Sequence, residues 1–138
     1  MSAEGTTQLL FRSVDRAGNV GSDQTLNPVV VDLAAAGMLH RGPDGLPDGT
    51  VVRPIPPEPW DDCFIEVAGA PGVHWPGALA VTIESDAPCW VVYTEHDTGV
   101  CVEPQTGPPD GLNNDKHTVV EPGQPLVAAM TIRWRSLA

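Results

Sequence analysis

The run from Arg41 to Pro59 reads RGPDGLPDG, then TVV, then RPIPPEP, with proline or glycine at about every second position. Proline has no N–H and glycine costs backbone entropy, so such a stretch cannot continue a helix and gives little to a β-ladder. The reading for 41–59 is therefore loop or extended polyproline, and long loops of this kind inside a compact domain are often functional. The same restriction covers the whole chain. Fifteen prolines and fourteen glycines among 138 residues exclude an architecture of long helices.

The remaining segments have strand character. QLLFRSV (8–14), Val29-Val30-Val31, CFIEVA (63–68), ALAVTIE (78–84), CWVVYT (89–94) and GVCVE (99–103) are short, rich in β-branched and aromatic residues, and separated by turn residues. HTVV (117–120) and PLVAAMTIRWRS (125–136) extend the series. In the last run Met130, Ile132 and Trp134 share one side, opposite Thr131, Arg133 and Arg135. Asp15-Arg16-Ala17-Gly18-Asn19 is turn chemistry, and Ala34-Ala35-Ala36 suits a helical turn stopped by Gly37. The expected class is all-β, an antiparallel β-sandwich or barrel, with 1–28 as an N-terminal extension and 29–138 as the main body.

Composition narrows the partners. The apolar fraction of 41% supports a core, and a formal net charge of -11 argues against nucleic acid and anionic membranes. No stretch approaches the roughly 20 apolar residues of a membrane span, and Met1–Thr7 lacks a basic leader region. Cys63, Cys89 and Cys101 have no metal-site spacing; buried reduced thiols in the cytoplasm are the simplest reading. His96-Asp97 and Asp115-Lys116-His117 also match no metal site, and no cofactor motif is present.

Two places could carry chemistry. Glu103 closes the strand GVCVE just before Pro104, and Trp90 or Tyr93 nearby could desolvate its carboxylate enough to make a general base. On spacing alone, a solvated glutamate at a strand end is the simpler reading. Trp60-Asp61-Asp62-Cys63-Phe64 offers a carboxylate beside an indole, a common sugar-binding pair, though these aspartates could instead cap a loop-to-strand junction. Extended backbone would send Asp61 and Asp62 to opposite sides. In HWPG (74–77), Trp75 is expected to pack as an anchor, with His74 exposed or bonded to backbone.

PDGLPDGTVV, PWDDCF, WPGALAVTIESD, WVVYTEHDTGVCVEPQTGPPDGLN and VVEPGQPLVAAMTIRW follow one another in an order that resembles the C-terminal part of bacterial aldose 1-epimerases, over about 29–135. The resemblance implies a portion of a β-supersandwich that interconverts the anomers of free hexoses without a cofactor. It also implies that Glu103 takes the proton from the anomeric hydroxyl and that Asp61 binds sugar hydroxyls. Trp60 and Gln105 would shape the site, and a monosaccharide of the glucose or galactose class would be the ligand. Family members carry a histidine acid in an upstream segment; His40, His74, His96 and His117 lie in no such segment. The resemblance therefore implies a catalytically incomplete portion, with a non-catalytic carbohydrate-binding module as the alternative. Strand edges without neighbours would favour self-association. LLFRSVDRAGNV (9–20) more weakly resembles bacterial immunoglobulin-like repeats.

Overall fold

The computed structural model describes residues 9–11, 24–26, 29–96 and 99–137. Eleven strands are described and no helix is seen among these residues: β1 (Leu9–Phe11), β2 (Gln24–Leu26), β3 (Val30–Asp32), β4 (Ala35–Arg41), β5 (Pro47–Val52), β6 (Asp61–Val67), β7 (Gly72–Trp75), β8 (Leu79–Glu84), β9 (Cys89–Tyr93), β10 (Cys101–Gln105) and β11 (Thr131–Ser136). β1 and β2 form an antiparallel pair of their own. The expected turn at Asp15–Asn19, most of the strand expected over 8–14, and most of LLFRSVDRAGNV lie outside the described residues.

Two antiparallel sheets pack against each other, as the strand pattern predicts. One has the order β10-β9-β6-β4-β5 and the other β11-β8-β7-β3. The layer between them is built on Val31 from β3, Met38 from β4, Phe64 from β6 and Val92 from β9, joined by Val52, Trp60, Val100 and Val102. Phe64 and Val92 have no exposed surface. Removing these apolar surfaces from water is the main drive for closing the sandwich.

The opposite, outer face of the five-stranded sheet holds a second small cluster: Leu39, Cys63 and Cys89, flanked by Ile65 and Val91. The Pro-Gly loop after β10 folds back over this cluster, bringing Pro108, Pro109, Lys116 and Thr118 to its hollows. The loop is held by the Lys116 N–H donating to the Gly111 carbonyl at 2.9 Å.

Three local expectations are corrected. Ala34–Ala36 forms no helical turn; Ala35 opens β4, which is paired on both sides by β5 and β6. Gly37, read as a helix stop, lies within the paired strand. A Cβ there would lie 2.8 Å from Val51 Cγ1, so glycine leaves room for the side chains of Val51 and Arg53 over β4. The 41–59 stretch is not wholly loop, because Pro47–Val52 is β5. Proline is tolerated as the first residue of a strand on a sheet edge, and β5 is an edge. HTVV (117–120) forms no strand, and of 125–136 only Thr131 onward does, because no neighbouring strand lies beside the rest. β7, absent from the sequence reading, completes a ladder between β3 and β8. No helix among the described residues is long and apolar enough to cross a membrane.

Candidate functional site

Register determines which side chains share a face, because residues directly opposite each other in a ladder point the same way. Asp61 lies opposite Tyr93, which lies opposite Cys101; Cys63 lies opposite Val91, which lies opposite Glu103. Asp61 and Glu103 therefore stand on one face of the five-stranded sheet, with β9 between them. Strand spacing and residue rise place their Cα atoms about 12 Å apart. Gln105 shares the same face and donates from Nε2 to Glu103 Oε2 at 3.3 Å. Tyr93, on β9, shares that face, level with Asp61 and Cys101.

The two acids line different hollows of the surface. Glu103 is exposed and borders a cleft of about 880 Å³ at the free edge of β10, together with Val102, Pro104, Gln105 and residues of 83–88 and 126–132. Asp61 lines a hollow of about 120 Å³ with Arg41, Asp62, Cys63 and Pro109.

Arg41 controls the second hollow. Its Nη1 donates to Asp61 Oδ2 at 3.0 Å, and its Nε lies 3.2 Å from Asp62 Oδ1. Neighbouring aspartates were expected to diverge, yet one guanidinium gathers both. Asp62 is the more deeply set, with 13% of its side chain exposed against 43% for Asp61. The Asp61 N–H also donates to Asp62 Oδ2 at 3.3 Å, so the junction has capping character as well.

Trp60 points away from this face. Its ring packs edge-on against Phe64 at 5.2 Å, and its Nε1–H donates to the Pro56 carbonyl at 2.9 Å. The indole belongs to the inter-sheet layer, on the side of the sheet opposite Asp61. Trp90, opposite Phe64 and Pro104 in register, is buried on that same inner side and does not lie against the Glu103 carboxylate. Tyr93 is the aromatic residue that reading along the strands did not single out from Trp90; alternation along CWVVY would have separated them.

The thiols are divided by exposure. Cys63 and Cys89 are buried as expected, whereas Cys101 is exposed beside Glu103. The Cys101 thiol is pushed up, first by partial burial and then by the Glu103 charge. The Cys63 thiol is also raised, chiefly through its hydrogen bond to Cys89 and then by burial.

None of the four histidines lines either acidic hollow. His40 Nδ1 meets Asp48 Oδ2 at 2.9 Å, and His117 Nδ1 comes within 3.4 Å of the Gly111 carbonyl. His74 and Trp75 are half-buried on β7; the Trp75 Nε1 is buried without a hydrogen-bond partner. Asp97 lies outside the described residues, and no cluster of metal-ligating side chains occurs among the described ones.

No protein-family model, curated protein or solved structure matches the chain.

Proposed function

We propose that the outer face of the five-stranded sheet is a monosaccharide site related to that of aldose 1-epimerases. The observation that supports this reading is the register that brings Asp61, Tyr93, Glu103 and Gln105 to one side. Carboxylates accept hydrogen bonds from sugar hydroxyls, and an aromatic ring covers the apolar face of a pyranose. Trp60 serves from behind, fixing the start of β6 and hence the position of Asp61. In this reading Glu103 is the base for the anomeric hydroxyl, and Gln105 holds one of its oxygens.

Anomer exchange needs a second group to protonate the ring oxygen while the base removes the hydroxyl proton. Proton transfers of this kind contribute typically 10²–10⁴-fold. With no histidine in either hollow, the chain binds the sugar and lacks the acid half of the reaction. That placement favours the second reading, a carbohydrate-binding module without turnover. A location in the cytoplasm accords with the two buried reduced thiols.

Titration with glucose and galactose, followed by amide chemical shifts, tests the site. Saturable shifts along β6, β9 and β10 are expected, weakened by Asp61→Asn and by Glu103→Gln. Absence of shifts at millimolar sugar removes the proposal. Polarimetry on fresh α-glucose separates the two readings: exchange above the buffer rate, lost in Glu103→Gln, makes the chain an epimerase in its own right.

A further inference from the structure

We propose that two copies of this chain pair about a two-fold axis, with β11 of each lying along the free edge of β10 of the other. Among the described residues β10 is paired only with β9, and β11 only with β8. Both strands border the same cleft, where Ile83, Val102, Leu126, Val127, Met130 and Ile132 meet. Among the described residues the five-stranded sheet ends at β10, across the cleft from β11. Ile132 and Trp134 are opposite Ile83 and Val81 in register, on the side that turns inward elsewhere in the sandwich. They are nevertheless 49% and 73% exposed. The segment leading to β11 leaves Val127 and Met130 exposed as well. An apolar patch this continuous marks an interaction surface.

The two free edges have the chemistry that each other's surroundings require. β11 turns Ile132 and Trp134 inward and Arg133 and Arg135 outward; β10 turns Val102 and Pro104 inward and Glu103 outward. Arg133 already meets Glu84 at 2.8 Å, while Arg135 has no ion-pair partner among the described residues. A β11 laid along β10 of a second copy continues the apolar layer under Trp134 and sets arginine beside Glu103. Pairing like with like does worse. β10 on β10 faces Glu103 with its own copy and leaves Pro104 without a donor on both sides; β11 on β11 gathers four arginines. Like charges placed opposite each other in a ladder are destabilising.

A two-fold axis along the strands exchanges the two layers of the sandwich, so both junctions form in one step. The four-stranded sheet of each copy then runs on into the five-stranded sheet of the other, and the assembly closes without open edges on that side. With each chain at -11, the arginines of β11 offset repulsion where the copies meet.

Sedimentation velocity on the 138-residue chain tests the pairing, and it does not depend on sugar binding. The expected species has twice the 14.6 kDa chain mass. Arg135→Glu and Glu103→Arg should each weaken the dimer roughly a hundredfold, because each sets like charges together at both junctions. Mixed in equal amounts, the two variants should dimerise again, since every junction in the mixed pair then joins opposite charges. Trp134→Lys should give a monomer whose far-ultraviolet circular dichroism is unchanged. A wild-type monomer at high micromolar concentration overturns the proposal. So does a dimer indifferent to Trp134→Lys, an open ladder of oligomers, or a mixture of the charge variants that stays monomeric although both are folded.

Discussion

Arg41 is bonded to Asp61 at 3.0 Å and still leaves 43% of that aspartate side chain exposed. The carboxylate is thus oriented by one partner and open to another. Asp62, shielded to 13% exposure, depends more on the same guanidinium. Arg41→Ala leaves two adjacent carboxylates without their shared cation. A loss of about 1–2 kcal/mol in urea denaturation is expected, larger than for an exposed pair because Asp62 is largely desolvated. The double variant with Asp62→Asn should recover part of it.

Phe64 is the centre of the inter-sheet layer, with no exposed surface and with Trp60 against its edge. Phe64→Ala should cost about 3–5 kcal/mol. Trp134→Ala, on the exposed part of β11, should cost the monomer far less. Equal losses at the two positions would mean that the layer does not centre on Phe64.

Partial desolvation of the exposed Glu58 raises its carboxyl above its ordinary value, with a hydrogen bond from Thr94 acting the other way. The folded chain therefore holds this proton more tightly than the unfolded one. Stability from this group is present at low pH and is lost as pH rises from the unfolded value through the folded one. Glu58→Gln should raise Tm at neutral pH, and the difference should vanish below about pH 4. Glu84 has the opposite sign: Arg133 lowers its carboxyl, so its small contribution is lost as pH falls.

Thiol chemistry should follow exposure. Cys101 is the exposed thiol, while Cys63 and Cys89 are buried. Ellman's reagent should label Cys101 first in the folded chain, and slowly at neutral pH, because partial desolvation and the Glu103 charge raise its thiol. Unfolding should release the other two. Cys101→Ser should remove the folded-state reaction entirely.

The strand pattern made the all-β sandwich legible because alternation and turn residues act locally. CFIEVA and CWVVYT were found as strands since each buries one face and pairs on both sides. β5 was hidden because Pro47 and Gly49 read as interruption, while its pairing depends on β4, whose Met38, Leu39 and Arg41 lie opposite Val52, Val51 and Pro47. HTVV has strand composition and no neighbour, and composition cannot supply one. The candidate site divides in the same way. Glu103 and Asp61 could be singled out by their sequence surroundings, but their common face rests on β9 lying between β6 and β10. The inward turn of Trp60 likewise depends on Phe64 and the Pro56 carbonyl, neither of which adjacency reveals.

Pro104 sits within the edge strand β10, opposite Trp90, and has no N–H to offer a further strand. The outward rim of that strand therefore lacks one rung. Any strand that spans this position forms one bond fewer, whatever its register. The proline thus weakens β10 as a template and discourages the indefinite stacking by which exposed edges grow into fibres.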